Sequence, residues 1–243
     1  MKDVEILDRV GSTNEFLQES FTEIFPEGLK AVATFNQTDG RGQRGNKWLS
    51  EPGCNISYSI IFRPDKIQAQ DQFIISQVVA LSVKSFLEKY IKNVSVKWPN
   101  DIFCKEKKIA GILIENQLTG SMIKYSIVGI GVNVNQIDFP AEIPDAISLS
   151  LISGLKYDLL KLTEELHQSI YKPLSGLSMD QAETIQRYYL NSLFRRDGFH
   201  RYSDKNGTFN ASICGIGAQG NLLLKMEDDS IRSYLFKEVT FNI

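Results

Sequence analysis

Alternation of apolar and polar residues dominates the first 135 positions. Val4–Val10, Leu29–Phe35, Asn55–Phe62, Asn93–Trp98, Ile102–Cys104, Lys107–Glu115 and Lys124–Asn135 read as strands bounded by Gly, Pro, Asn and Asp. In one of them Asn55, Ser57 and Ser59 alternate with Ile56, Tyr58, Ile60 and Phe62. In another, Gly129, Gly131, Asn133 and Asn135 alternate with Val128, Ile130, Val132 and Val134. Between Lys107 and Glu115, Lys108, Ala110, Ile112 and Ile114 share one face and Ile109, Gly111, Leu113 and Glu115 the other. The Asn55-Ser57-Ser59 face, Ala110 beside Lys108, and the Gly129-Gly131-Asn133 face predict a floor nearly bare of side chains. Glycines alone have a plain account as a β-bulge or the seat of a close-packed helix. Small residues on several strands at once fit a flat-lying ligand better.

Helical spacing appears between and after these strands. Ser12-x-x-Glu15 has the form of a capping box, and Phe16, Leu17, Phe21 and Ile24 follow as an inward stripe. The longest helical pattern runs from Ile67 to about Ile91, apolar enough to lie buried on the back of the sheet. Further amphipathic helices are predicted at Ser148–Ser153, Tyr157–Leu174 and Met179–Leu190, after the loop Asp138–Ile147. Near Ser192–Gly198 the character changes. Phe199–Tyr202, Phe209–Ile216, Asn221–Met226, Ser230–Phe236 and Val239–Asn242 are short strands separated by turn signals, a pattern of SH3-like barrel size. The fold expected is α+β: a mixed, largely antiparallel sheet backed by helices, with a small C-terminal SH3-like β-barrel.

One stretch fits neither period. Gly40-Arg41-Gly42-Gln43-Arg44-Gly45-Asn46-Lys47-Trp48 holds three glycines, two arginines and a lysine between two strands, preceded by Gln37-Thr38-Asp39. So much glycine packs no core, and so much positive charge suits closure around an anion through backbone N–H groups and guanidinium forks. Gly40-x-Gly42-x-x-Gly45 also matches the letters of a dinucleotide fingerprint. That fingerprint needs a helix directly after the glycines. Here Trp48-Leu49-Ser50-Glu51-Pro52-Gly53 leads through a turn into another strand, so a Rossmann site is excluded.

Composition narrows the chemistry. The chain has 243 residues, 42% hydrophobic and 23% charged, with a net charge of −2 that argues against bulk nucleic-acid affinity. No apolar run is long enough for a membrane span and the N-terminus is no signal peptide. Cys54, Cys104 and Cys214 are scattered and odd in number, which fits a reducing cytoplasm without a disulfide framework or zinc site. His167 and His200 are isolated, so a histidine triad is not expected. Arg41, Arg44, Lys47, Lys97 and Lys108 gather around the predicted floor, with Asp39 and Asp101 as the nearest carboxylates. Joining a carboxylate to the α-phosphate of a nucleoside triphosphate needs such cations and no nucleophilic side chain. Two like charges 4 Å apart repel by about 4 kcal/mol at an effective dielectric near 20. A lysine bridging the two anions and arginines on the phosphates offset that repulsion. A loop closing over the product would keep water from the acyl-phosphate anhydride.

Four segments in order, Gly40–Trp48, Lys97-Trp98-Pro99-Asn100-Asp101, Lys107–Glu115 and Gly129-Ile130-Gly131-Val132-Asn133, resemble the motif series of biotin protein ligases. The opening Ser12-Thr13-Asn14 and the small C-terminal barrel agree, and the resemblance covers essentially the whole chain. It implies a class II synthetase-like catalytic domain over residues 1–191 and an SH3-like domain over 192–243. It implies activation of biotin by ATP to biotinyl-5′-AMP, then acyl transfer to a lysine of a biotin carboxyl carrier protein. By the same resemblance Ser12, Thr13, Asn14 and Gln37 would hold the biotin rings. Gly40, Arg41, Lys108 and Gly111 would lie along its tail and carboxylate, with Lys108 as the bridging amine assisted by Arg41 and Arg44. Gln43, Lys47, Trp48, Asn100, Gly131 and Asn133 would surround the adenylate, and Asp101 would help place Mg²⁺.

Two departures bear on this. Many bacterial relatives carry arginine where Gln43 stands, so retention of the adenylate must lean on Arg41, Arg44 and Lys47. Members that double as repressors begin with a winged-helix domain, whereas here the ligase core begins almost at Met1, so a ligase without DNA binding is expected. Strand addition to the carrier or to a second subunit, as a homodimer, is open. Lipoate–protein ligases and octanoyl transferases share the fold and acyl chemistry but differ in the Gly-Arg-Gly and Lys-Trp-Pro-Asn-Asp segments. A non-catalytic biotin-sensing module is the other alternative.

Overall fold

The computed structural model describes residues 4–21, 29–64 and 66–242. The expected helix end at Ile24, the turn at Pro26-Glu27-Gly28, Asp65 and the Arg44 side chain lie outside the described residues.

Seven strands form the main sheet: β1 (Val4–Leu7), β2 (Lys30–Thr34), β3 (Ile56–Phe62), β4 (Val94–Lys97), β5 (Asp101–Cys104), β6 (Lys107–Thr119) and β7 (Met122–Val132). Their order is β1-β2-β3-β7-β6-β5-β4, antiparallel throughout except for the β1–β2 pair. The mixed, largely antiparallel sheet read from the alternation is therefore present. The helices are α1 (Thr13–Ser20), α2 (Phe73–Leu87), α3 (Leu149–Ser153), α4 (Leu159–Ser175) and α5 (Ala182–Asn191).

The sheet has two unlike faces. Ile56, Tyr58, Ile60 and Phe62 of β3 point to the back, where Ile75, Val79, Val83 and Phe86 of α2 and Leu166 and Ile170 of α4 complete the principal core. On the front, α1 covers one end through Leu17, packed on Val32, Ile61, Tyr125 and Ile127. The other end of the front face stays open. Ser12 caps α1 by accepting the Glu15 N–H at 3.5 Å, one half of the capping box expected from the spacing; the Glu15 carboxylate pairs with Arg41 instead.

The long helical pattern is shorter than predicted, beginning at Phe73 rather than Ile67. The cause is competing pairing. Ile67 accepts the Ile123 N–H at 3.1 Å and Ala69 donates to Ser121 at 2.8 Å, so this segment is drawn onto the β6–β7 hairpin and makes only a single 3₁₀ turn at Ala69–Asp71 before α2.

Five C-terminal strands, β8 (His200–Asp204), β9 (Gly207–Ile216), β10 (Leu222–Met226), β11 (Ile231–Tyr234) and β12 (Thr240–Phe241), form a second antiparallel sheet ordered β11-β10-β9-β8-β12. It is fastened to the first along β4. Val96 donates to Ser192 and accepts from Phe194, each at 2.8 Å, and the Trp98 indole donates to the Gly220 carbonyl at 2.8 Å. The second sheet therefore stands beside the open end of the front face.

Candidate active site

Two in-register rows of residues cross the open face. One runs Leu113, Gly129, Ser59, Val32; the other runs Lys97, Asp101, Gly111, Gly131, Ser57, Thr34. Glycines at the centre of both rows let side chains from outside the sheet lie directly on the backbone. A Cβ at Gly129 would overlap the Asn14 carboxamide, and one at Gly131 would overlap the Trp48 indole. A cavity of about 490 Å³ lies over this floor. That size and its concave, mixed lining suit a small ligand.

The cavity's first end is polar and pre-arranged. Gln37 Oε1 accepts from the Thr13 N–H at 2.9 Å and the Thr13 hydroxyl at 3.2 Å. Ser59 Oγ lies 2.7 Å from Thr13 Oγ1 and 2.6 Å from Asn14 Oδ1. Asn14 Nδ2 donates to Glu115 at 2.7 Å. Thr13, Asn14 and Ser59 are buried, Gln37 and Glu115 half-buried, and all hold one another, so their remaining donors and acceptors are fixed in direction.

The middle is cationic. Lys108 Nζ is 2.7 Å from Asp101 Oδ1 and 5.6 Å from the centre of the Trp48 ring. Here the structure corrects the simple alternation, which set Lys108 on a face with Ala110, Ile112 and Ile114. Ala110 is fully buried in the core behind the sheet, whereas the Lys108 chain lies over Gly111 on the open side. The register shifts between Ile102 and Phe103 of β5, which face Ala110 and Lys108, so Ile109 is the extra residue in β6, and its side chain is buried in the core with that of Ala110. One extra residue in β6 reverses the face of everything before it. The floor is therefore built from Gly111, not Ala110.

The glycine loop folds back on itself over the cavity. Gly42 donates to Asn46 at 2.7 Å and Trp48 to Gly40 at 2.8 Å, around one 3₁₀ turn at Gln43–Gly45. Arg41 pairs with Glu15 of α1 at 2.5 Å, an exposed contact that tethers the loop to the first turn of α1. Gln43 Oε1 and Trp48 Nε1 are buried without a hydrogen-bond partner among the described residues. Both belong to residues that line the cavity.

The far end carries Lys97, Asn100 and Asp101. Asn100 donates its carboxamide to the Ile112 carbonyl at 2.8 Å. Burial lowers the pKa of Lys97, opposed by Asp101 and reinforced by Lys108.

Of the residues singled out from sequence, Ser12, Thr13, Asn14, Gln37, Arg41, Gln43, Lys47, Trp48, Asn100, Asp101, Lys108, Gly111 and Gly131 line this one cavity. Gly40 instead borders a smaller hollow of about 390 Å³ on the loop's other side, with Asp39 and Glu115. Asn133 is turned away: it is buried and donates to the Ile147 carbonyl at 3.1 Å, bracing the loop before α3. Asn55 likewise leaves the floor, donating to Gln136 at 2.5 Å and accepting from Val134 at 2.9 Å. Sequence reasoning missed the opposite wall, where Phe236, Lys237, Val239, Thr240 and Phe241 come from the second sheet. No local signal marked them, because their role follows only from where that sheet docks.

Residues 6–133 match the model of the Biotin/lipoate A/B protein ligase family. The chain belongs to that family. The bifunctional ligase/repressor BirA of Bacillus spizizenii is 33% identical over 231 residues, covering 93% of this chain and 70% of that protein. Biotin–protein ligase 2 of Arabidopsis thaliana is 32% identical over 234 residues, covering 91% and 69%. Among solved structures, the biotin protein ligase from Aquifex aeolicus in complex with biotin and ATP has a TM-score of 0.73 at 29% identity, covering 99% of this chain and 98% of that one. All four motif segments lie within the matched residues, and each contributes residues to the cavity just described.

Proposed function

We propose that this protein activates biotin with ATP to biotinyl-5′-AMP and passes the biotinyl group to a lysine of a biotin carboxyl carrier domain. The observation that carries the reading is the order of chemistry along one cavity. A rigid set of neutral hydrogen-bonding groups comes first, then an amine and a guanidinium, then an aromatic ring and a carboxamide. Ser12, Thr13, Asn14 and Gln37 suit the neutral, polar ureido ring of biotin, which needs donors and acceptors but no charge. Gly129 and Gly111 let Asn14 and Lys108 lie low against the sheet, which keeps the cavity above them deep enough for the flat bicycle and its tail.

The reaction then follows from charge. A carboxylate oxygen attacks the α-phosphorus, the bond from that phosphorus to the bridging oxygen breaks, and pyrophosphate departs with the electron pair. Lys108 sits where the two anions meet and lowers their mutual repulsion as the new bond forms. Arg41 on the loop adds a second positive charge once ligand draws it from Glu15, and Arg44 and Lys47 belong to the same loop. Trp48 and Asn100 flank the nucleotide. Asp101 offers the far end one carboxylate, enough for a Mg²⁺ that takes its other ligands from phosphate and water, and such an ion would neutralise phosphate charge. In the transfer half-reaction the acceptor amine attacks the acyl carbon, AMP leaves, and one proton is lost from nitrogen.

Residues 1–191 form the catalytic unit in this reading and 192–243 the smaller domain beside it. A cytoplasmic setting suits ATP chemistry and three free cysteines; among the described residues no helix is long and apolar enough to cross a membrane. Incubation with ATP, biotin and an apo carrier domain, read by intact-mass spectrometry, is expected to show the mass of one biotinyl group on the carrier. Lipoate in place of biotin is expected to leave it unmodified. No mass gain with biotin, or equal modification by lipoate, would overturn the assignment.

A further inference from the structure

The hydrogen bonds at the polar end of the cavity form one chain, and Glu115 stands at its closed end. Asn14 Nδ2 lies 2.7 Å from Glu115 Oε2 and 3.5 Å from the Leu113 carbonyl oxygen. A carboxylate and a peptide carbonyl accept hydrogen bonds and have no proton to give, so the Asn14 amide must turn its NH₂ toward them. Its Oδ1 then faces Ser59 Oγ at 2.6 Å, and only Ser59 can supply the proton between them. Ser59 is fully buried and has a single hydroxyl proton. Its 2.7 Å contact with Thr13 Oγ1 is therefore a hydrogen bond only if Thr13 donates. Gln37 Oε1 already receives the Thr13 N–H at 2.9 Å. Thr13 lines the cavity, and with its proton committed inward its hydroxyl oxygen presents lone pairs alone. Glu115 borders the smaller hollow behind the loop and is not among the residues lining the main cavity.

We propose that Glu115 is a positioning residue that fixes the direction of this chain, makes Thr13 an acceptor, and so selects a ligand that brings N–H rather than oxygen to the ring-binding end. This rests on the biotin-activating function proposed above and assigns part of its specificity to a side chain outside the cavity. A chain of hydroxyls and amides runs equally well in either direction. With the Asn14 amide turned over, Asn14 would donate to Ser59, Ser59 to Thr13, and Thr13 into the cavity. A group that only accepts forbids the reversal, because Asn14 Oδ1 would then meet Glu115 with no proton between the two oxygens. The Leu113 carbonyl acts in the same sense, more weakly at its greater distance. Burial of Thr13, Asn14 and Ser59 raises the cost of any mismatched pair along the chain.

Glu115→Gln keeps the shape of the side chain but can donate as well as accept, so both directions become available. The probes are biotin and its cyclic carbonate analogue, in which ring oxygens replace both N–H groups, titrated against the full-length protein with the weaker ligand competed against the stronger. Wild type is expected to prefer biotin about 10³-fold. In Glu115→Gln the analogue is expected to bind about tenfold more tightly than it does to wild type, and biotin about two- to threefold more weakly. Ser59→Ala is the second arm. It interrupts the chain while Asn14 and Glu115 stay paired, which lets the Thr13 proton turn toward the cavity, and the preference is expected to shrink about tenfold. A general loss of packing would weaken both ligands together and leave the ratio as it was. An unchanged ratio in either variant, or a wild type that binds both ligands equally, would overturn the assignment. A wild type that binds neither would instead refute the biotin-activating function itself.

Discussion

Replacing Gly129 by alanine puts one methyl group where the Asn14 carboxamide now lies. Gly129 has no unusual backbone angle, so the cost is purely one of space. Asn14 has little freedom to yield: it is 4% exposed, held by Ser59 at 2.6 Å and by Glu115 at 2.7 Å. Moving it breaks both bonds. A neutral hydrogen bond contributes about 1 kcal/mol net and one to a charged group about 1.5–3 kcal/mol, so the loss should be about 2–4 kcal/mol. For a chain of this size that corresponds to a fall in Tm of roughly 5–15 °C. If only 1.4 kcal/mol of it falls on ligand contacts, the Kd for biotin rises about tenfold. Gly11→Ala is the matched control, since a Cβ there meets nothing within 4 Å. Thermal unfolding and calorimetric titration with biotin measure both quantities. A Gly129→Ala protein with the Tm and biotin affinity of the Gly11→Ala control would refute the idea that a bare floor seats Asn14 and the ligand.

Lys108→Ala removes an ion pair whose lysine side chain is 34% exposed, so Tm should move little, while the rate of pyrophosphate release falls about 10²–10³-fold; near-normal turnover would exclude the bridging role. Glu15→Gln keeps the backbone N–H that caps α1 but frees Arg41, so proteolysis within residues 41–47 of the ligand-free protein should accelerate while biotin plus ATP still protects; identical cleavage of variant and wild type would mean that the tether does not hold the loop. The Lys97 pKa is lower in the folded state than its ordinary 10.5. Between those two values the unfolded chain binds a proton that the folded chain does not, so this group's contribution to stability rises with pH, and below the folded value the cost of its burial is fully present. Lys97→Met should therefore be more stable than wild type at neutral pH, by about 1 kcal/mol at most, with the difference closing above pH 10.5. Buried Tyr58 and Tyr189, whose pKa values are raised by burial, lower stability at alkaline pH in both proteins, so the difference between the two denaturation curves is the quantity to read; a pH-independent difference would refute it.

Sequence alone determined most of the elements and one end of the site. Alternation placed the strands because each has a buried and an open face, and the glycines at 129 and 131 advertised a floor because nothing else explains small residues on adjoining strands. The cation-rich loop was legible for a related reason, since glycine and like charge cannot serve a core. Which side of the sheet Lys108 occupies was decided only in three dimensions, by a bulge that a period-two reading cannot detect. The departure of Asn133 from the floor and the pairing of Ile67 and Ala69 with the β6–β7 hairpin were settled by hydrogen bonds to distant segments. The wall around Phe241 was hidden for the plainest reason: it lies 144 residues beyond Lys97, at 241 against 97, and reaches it only because Trp98 and Val96 fasten the second sheet to the edge of the first. Local pattern carries what a residue's neighbours along the chain require, whereas docking of one sheet on another depends on pairings that no window of sequence contains.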